Sequence, residues 1–258
     1  MTWVLLRGLM REQRHWGQFL AQFQAATGEP VISIDFPGNG QRYQEASASN
    51  IDSMVEHCRL QLAAQQVSTP VNLLALSLGA MVGVAWAHAY PAELQHLVLI
   101  NTSLAPHNPF YQRLRPQNYP AILRTMLLGS ASEREALILR ITSKQSDTRR
   151  AATLIRDWVS YAEECPISRK NMLRQLWAAM HYRAPMTPPA PPVLMLAGAG
   201  DQLVHPACSA TLAKKWHAAI RIHPEAGHDL PLDDSEWVTE QVMLWLQNKT
   251  RVIASGQH

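Results

Sequence analysis

The sequence predicts an α/β protein with a doubly wound, mostly parallel sheet of at least six strands, flanked by helices and carrying a long helical insertion. Three observations predict this class. Short runs rich in Val, Ile and Leu alternate with longer helical patterns. Most of these runs are nearly continuous in apolar residues, which is typical of strands covered on both faces of a parallel sheet. One stretch, between residues 106 and 190, contains helical patterns without a convincing strand.

The predicted strands and helices follow one another along the chain as βαβ units, which favours right-handed crossovers. The first two helices have apolar residues at helical spacing, the third is the run LGAMVGVAWAHAY before Pro91, and the last spans Trp237 to Leu246. The predicted strands are Trp3–Leu6, Val31–Asp35, Val71–Leu76, Leu97–Asn101, Val193–Ala197 and Ala219–His223.

The insertion divides the chain into a predicted core, residues 1–105 and 191–258, and a helical segment, residues 106–190, that we expect to sit over the sheet. It ends in MTPPAPP, a proline-rich connector expected to run extended. The helical patterns in the insertion are Ala121–Leu128, Glu133–Thr142, Ala151–Ala162 and Lys170–Tyr182.

Composition excludes several classes of protein. Of 258 residues, 47% are hydrophobic and 17% charged, which is a normal globular balance. A net charge of +3 does not favour nucleic acid as a partner. No apolar run is long enough for a membrane span, and Arg7 with no cleavage site argues against a signal peptide. Three scattered cysteines, Cys58, Cys165 and Cys208, favour reduced thiols and a cytoplasmic location.

The run Ala75-Leu76-Ser77-Leu78-Gly79 lies between a predicted strand and a predicted helix. A serine raised on a sharp turn there exposes its hydroxyl, and the turn needs small residues two before and two after it. Gly79 meets this requirement, and Ala75 stands in place of the usual glycine. Ser77 is therefore a candidate nucleophile. The alternative is that Ser77 only caps the helix.

A carboxylate and an imidazole follow two later strands. Asp201 comes after a glycine-rich turn at the end of the fifth predicted strand, where open α/β sheets bind ligands. It can orient a histidine, or it can cap the helix that begins near Pro206. His228 lies after the sixth strand and is preferred to His223 and His205 as the base, because the order Ser77, Asp201, His228 fits this topology.

Attack on a carbonyl also needs two N–H donors for the oxygen that becomes negative. We expect one from Leu78, directly after the serine, and the other from Leu9, in the loop that follows the first strand. Gly8 would let this loop approach the serine, or would simply permit a turn.

These residues together resemble the α/β-hydrolase fold family, over nearly the whole chain. Asp35-Phe36-Pro37-Gly38-Asn39-Gly40 is similar to the family's DxPGxG loop, and Leu6-Arg7-Gly8-Leu9 to its HG oxyanion loop, with Arg7 in place of histidine. The insertion resembles the family's helical cap. The pattern is most similar to capped serine esterases, including carrier-protein methyl-ester hydrolases.

The resemblance implies a serine hydrolase with a Ser77–His228–Asp201 triad, which cleaves a carboxylic ester of a small or medium acyl compound and needs neither a metal nor an organic cofactor. Three alternatives stay open: a thioesterase or methyl-ester hydrolase on an acyl carrier, a C–C bond hydrolase, and a binding protein on a hydrolase scaffold. Such binding proteins usually lose a member of the triad, and all three candidates are present here.

The predicted partners are a small acyl substrate and, as a second candidate, an acidic acyl carrier protein. The insertion has thirteen Lys or Arg against six Asp or Glu, so its net charge is +7 and that of the remaining chain is −4. This charge either steers an anionic partner or belongs to a solvated helical surface. Apolar residues in the insertion either line an acyl pocket or pack it onto the sheet: Met126, Leu127, Leu128, Met172, Leu176, Trp177 and Met180.

Overall fold

Six parallel strands form one sheet in the computed structural model, which describes residues 1–144 and 147–255. The strand order is β2-β1-β3-β4-β5-β6, and all five neighbouring pairs are parallel. The predicted fold class is confirmed. The strands are β1 (Trp3–Leu6), β2 (Val31–Ser33), β3 (Val71–Leu76), β4 (Leu94–Ile100), β5 (Val193–Gly198) and β6 (Ala219–His223).

Helices cover both faces of the sheet. Side chains alternate along each strand, so Trp3 and Leu5 pack with the helices of one face, whereas Val4 and Leu6 pack with those of the other. Both faces of β1 are therefore apolar, which explains its continuous run. The core helices are α1 (Phe19–Thr27), α2 (Ile51–Ala64), α3 (Leu78–Ala89), α9 (Ala207–Trp216), α10 (Leu230–Asp233) and α11 (Ser235–Ser255).

The insertion is helical. Apart from an isolated bridge between Ala105 and Arg183, no described residue between β4 and β5 pairs as a strand. Residues 145–146 and 256–258 of the predicted division into core and insertion lie outside the described residues. The insertion helices are α4 (Phe110–Arg113), α5 (Tyr119–Leu128), α6 (Ala131–Thr142), α7 (Thr148–Glu164) and α8 (Arg169–His181).

Capping residues set the first turns of three of these helices. Ser130 caps α6 in a reciprocal pair with Glu133, Asp147 accepts N–H bonds at the start of α7, and Ser168 does the same for α8. These helices begin earlier than the apolar periodicity predicts, because caps and polar first turns carry no apolar signal.

Three strands differ from the prediction at their ends. β2 ends at Ser33 rather than Asp35, and β4 begins at Leu94 and ends at Ile100 rather than running from Leu97 to Asn101. β5 ends at Gly198, one residue later than predicted. Asn101 has a φ of 46°, which is incompatible with a continuing strand. Gln95 and His96 hid the start of β4 because they interrupt the apolar pattern.

Four of the apolar residues predicted to line a pocket or to pack the insertion onto the sheet are largely exposed. Leu127, Leu128, Trp177 and Met180 are all more than half exposed, so the packing alternative is wrong for them. The periodic pattern was correct about the helices, but it cannot show which side of a helix faces the protein. Met126, Met172 and Leu176 are partly buried.

None of the helices in residues 1–144 and 147–255 is long and apolar enough to cross a membrane.

Candidate active site

Ser77 occupies a sharp turn between β3 and α3. Its φ of 56° and ψ of −110° are unfavourable for a residue with a side chain, and such conformations persist where the surrounding structure enforces them. The Ser77 N–H donates to the carbonyl of Ile100 in the neighbouring strand. The serine is partly exposed, whereas Leu76 and Leu78 on either side are buried.

Two glycines allow this turn. A Cβ added to Gly79 would lie 2.5 Å from the carbonyl oxygen of Leu6 and 2.8 Å from that of Arg7, so no larger residue fits. Gly8 lies against the turn from the other side, and a Cβ there would be 3.4 Å from the Cβ of Ser77. Ala75 is accommodated within β3, in register with Leu6 and Leu99.

Asp201 and His228 are in direct contact. His228 Nδ1 lies 2.7 Å from Asp201 Oδ2, and both side chains are buried. The other carboxylate oxygen, Oδ1, accepts the N–H groups of Leu203 and Val204. Asp201 thus holds its own turn and also contacts the imidazole. It does not cap α9, whose N-cap is Pro206.

The loop that carries His228 is held beside the turn that carries Ser77. The N–H of Ser77 is hydrogen-bonded to the carbonyl of Ile100. Asn101, which directly follows Ile100, donates hydrogen bonds from its side-chain amide to the carbonyls of Gly227 and His228. Asn101 Oδ1 also accepts the N–H of Gly198 at the end of β5. Among the described residues, no hydrogen bond joins the Ser77 hydroxyl to the His228 ring. In hydrolytic sites the distance between such groups is often long before substrate binds.

The candidate oxyanion donors lie on the two segments that meet at Ser77. Leu78 is the first residue of α3, so its N–H is one of those that a helix cannot satisfy internally. Leu9 follows Gly8 in the loop after β1. Its N–H takes part in none of the protein hydrogen bonds of the described residues.

The two other histidines considered from the sequence are engaged elsewhere. The His223 ring accepts the N–H groups of Glu225 and Ala226 and lies 3.2 Å from Asp234. The His205 ring accepts the N–H of Ala207. Among these three, only His228 contacts the carboxylate of Asp201.

Comparison with known proteins decides the family. The model of the alpha/beta hydrolase family matches residues 3–241. The chain belongs to this family. No curated protein matches it.

Solved structures share this fold of the alpha/beta hydrolase family at low sequence identity. An enol-lactonase from Burkholderia xenovorans is 18% identical, with a TM-score of 0.76 over 95% of this chain and 91% of that one. A thermophilic esterase from Thermogutta terrifontis is 19% identical, with a TM-score of 0.75 over 96% and 90%. A hydrolase from Pseudomonas aeruginosa is 21% identical, with a TM-score of 0.74 over 95% and 89%.

Arg7, which stands in place of the histidine in the HG loop of the alpha/beta hydrolase family, forms a buried ion pair. Its guanidinium donates to both carboxylate oxygens of Asp229, at 3.0 and 2.6 Å, and lies over the ring of Trp16. Asp229 directly follows His228, so this pair joins the Leu9 loop to the histidine loop. The sequence could not reveal it, because the partners are 222 positions apart.

Gln175 of α8 is a second anchor of the same loop in this hydrolase-family chain. It is fully buried, and its Oε1 accepts the N–H of Met10 at 3.0 Å. Its Nε2 donates to Asn39 and Ser47. No sequence pattern distinguishes this residue, because a lone glutamine in a helix is normally solvated.

A cavity of about 430 Å³ lies between α5 and α6, and Arg124, Leu128, Leu137 and Arg140 are among its lining residues. None of its lining residues belongs to the candidate site. Within the described part of the chain, no three His, Cys, Asp or Glu side chains group so that they could hold a metal ion.

Proposed function

We propose that this member of the alpha/beta hydrolase family is a serine hydrolase that cleaves a carboxylic ester of a small or medium acyl compound. The observation that carries the proposal is the buried 2.7 Å contact between His228 Nδ1 and Asp201 Oδ2, on a loop tied through Asn101 to the strained turn of Ser77. A histidine oriented by a carboxylate beside an exposed serine hydroxyl is the arrangement that activates serine as a nucleophile.

The proposed reaction proceeds through an acyl-enzyme. Ser77 Oγ attacks the acyl carbon while His228 Nε2 takes the hydroxyl proton, and Asp201 stabilises the imidazolium that forms. The N–H groups of Leu9 and Leu78 bind the oxyanion. His228 then gives the proton to the departing alcohol. It later takes a proton from the water that attacks the acyl-enzyme, and returns that proton to Ser77 Oγ as the bond between Oγ and the acyl carbon breaks and the acid leaves. This scheme needs no cofactor.

The proposed architecture is a core of residues 1–105 and 191–258 with residues 106–190 as a cap. Three bonds from the insertion to the loops of the site support it. Thr142 accepts the N–H of Asp229, Arg115 donates to the carbonyl of Asp201, and Gln175 accepts the N–H of Met10. A cap in this position would restrict access of water and of large substrates.

A second candidate function is hydrolysis of a thioester or methyl ester on an acidic acyl carrier protein. The net charge of +7 on the insertion favours it, because an acidic partner would be steered towards the proposed cap.

We also propose a cytoplasmic location, which the free thiols of Cys58, Cys165 and Cys208 support.

Labelling with a fluorophosphonate probe tests the proposed function, with Ser77→Ala as the control. We expect the wild type to be labelled and the variant not. Unlabelled wild-type protein is assayed in parallel for substrate class, on p-nitrophenyl esters of increasing chain length and on matching acyl thioesters. Absence of labelling together with absence of turnover would contradict the proposal and favour a binding protein. Activity confined to thioesters would select the second candidate.

A further inference from the structure

Two segments of the insertion combine exposed apolar side chains with a complete absence of acidic residues. Residues 106–132 and 165–191 contain seven Lys or Arg and no Asp or Glu, so they account for the whole +7 of the insertion. The six acidic residues all lie between these segments, in residues 133–164, where six cations balance them. The charge of the insertion is therefore concentrated rather than spread over its surface.

The same two segments contain most of the large hydrophobic side chains that are exposed. Ten of the fourteen large hydrophobic side chains that are exposed in the described residues lie there. We call this set the apolar patch. Its members are Phe110, Tyr111, Tyr119, Leu123, Leu127, Leu128, Leu173, Trp177, Met180 and Met186.

Helix α8 exposes apolar side chains to solvent and buries two polar ones. Its buried side includes Asn171 and Gln175, whose amides bond to core loops, whereas Leu173, Trp177 and Met180 are each 57–61% exposed. The exposed residues are spaced by four and three positions and so share one face. Exposure of such an apolar face to water is unfavourable, and such faces are typical of helices that contact another molecule.

Hydrogen bonds hold the two segments side by side. Arg113 of α4 donates to the carbonyl of Ala179 in α8, and the N–H of Ala184 donates to Ala105. The start of α5 is tied to α4 through the Tyr119 hydroxyl and the Leu114 carbonyl. The apolar residues of α4, α5 and α8 therefore belong to connected elements.

We propose that the apolar patch and its exposed cations bind the surface of an anionic lipid bilayer. Exposed Trp and Leu side chains would enter the interface, while Arg169, Lys170 and Arg183, all exposed, would contact lipid phosphates. An anionic bilayer has a negative surface potential, which suits segments that carry cations and no acidic residue. The charge alone would also suit an acidic carrier protein, whereas the exposed hydrophobic side chains beside it favour a lipid interface. The proposal does not depend on the hydrolytic function.

Flotation with lipid vesicles tests the proposal, using the full chain. Vesicles of phosphatidylcholine alone are compared with vesicles in which about one third of the lipid is phosphatidylglycerol. We expect the protein to float with the anionic vesicles only, and less as salt rises. Arg169→Gln with Lys170→Gln should weaken binding by about tenfold or more, and Trp177→Ser should also weaken it.

Matched variants outside the patch control for nonspecific loss. Lys214 and Lys215 of α9 are also adjacent exposed cations, and Leu60 is 66% exposed in α2, compared with 63% for Leu127. Lys214→Gln with Lys215→Gln should leave binding unchanged, and Leu60→Ser should bind normally while Leu127→Ser binds weakly. Circular dichroism checks that each variant is folded.

Three outcomes would overturn the proposal. The first is failure of the wild type to float with anionic vesicles, and the second is an equal loss in the control variants. The third is a dimer in solution that Trp177→Ser converts to a monomer, because a second copy of the chain would then cover the patch. Light scattering after size-exclusion chromatography measures the oligomeric state.

Discussion

At the scale of single residues, Asp201 has two tasks that its two carboxylate oxygens keep apart. Oδ1 accepts the N–H groups of Leu203 and Val204, and Oδ2 contacts His228. Asp201→Asn can keep the first set of bonds but cannot stabilise an imidazolium. We expect kcat to fall on the order of 10²–10⁴-fold with little change in melting temperature. A loss below about tenfold would show that the carboxylate does not serve His228.

Gln175 should position the loop that carries Leu9. Gln175→Met removes the acceptor of the Met10 N–H, and we expect kcat to fall roughly ten- to hundredfold with KM nearly unchanged, because the oxyanion donor loosens. Steady-state kinetics on one activated ester measure both constants.

Asn171 offers the matched control for Gln175. It lies one turn earlier on α8, is also buried, and bonds to Ser47 and Glu45 rather than to the Leu9 loop. Asn171→Leu should therefore lower stability without a comparable loss of kcat. Equal kinetic effects in the two variants would assign Gln175 a purely structural role.

Asp35 should make the stability of the protein depend on pH. Burial, assisted by the neighbouring Glu12, raises the pKa of its carboxyl group from 3.8 to about 7. The folded state thus holds this proton more tightly than the unfolded state. Its contribution to stability is full below pH 4 and is lost as pH rises through 7.

Asp35→Asn removes this titration while the side-chain oxygen can still accept the N–H of Gln13. We expect the variant to be more stable than the wild type at pH 8, by a few kcal/mol at most, and the difference to shrink towards pH 5. Urea unfolding at both pH values measures it. A difference that is the same at pH 5 and pH 8 would contradict the assignment.

At the scale of structural elements, Arg7 and Asp229 connect the loop after β1 to the loop after β6. Removing either partner leaves the other charge buried, so Arg7→Met or Asp229→Leu alone should cost about 3–5 kcal/mol of unfolding free energy. The double variant should lose far less. Additive losses in a double-mutant cycle would mean that the two side chains do not act as a pair.

The elements were largely predictable because the sheet is buried on both faces. Apolar runs, continuous in β1 and broken only by Asn72 in β3, predict both strands with their observed bounds. The predicted bounds of β6 are also observed, although Arg221 interrupts its apolar pattern and the strand is only partly buried. The ends of β2 and β4 were missed where polar residues or a left-handed backbone intervene, as at Asn101. For α5 and α8 the apolar periodicity located the helices. It could not show which helix face is exposed, because this depends on the neighbouring elements, and a single sequence does not reveal which elements pack together.

At the scale of the whole molecule, the candidate site depends on contacts between distant parts of the chain. The order of Ser77, Asp201 and His228 could be proposed from motifs because parallel strands end at one edge of the sheet. The anchors Asn101, Arg7 and Gln175 could not, because each one is recognised only by its partners. The family accounts for the fold but not for the substrate. The insertion contacts three loops of the site, so we expect the proposed cap to influence which substrates enter.

The position of a covalent adduct tests the central claim most directly. After reaction with a fluorophosphonate, the protein is digested and the modified residue is located by mass spectrometry, in the wild type and in His228→Gln. We predict one adduct, on Ser77, formed at least about a hundredfold more slowly in the variant. An adduct on another residue, or a rate on Ser77 that does not depend on His228, would contradict the account.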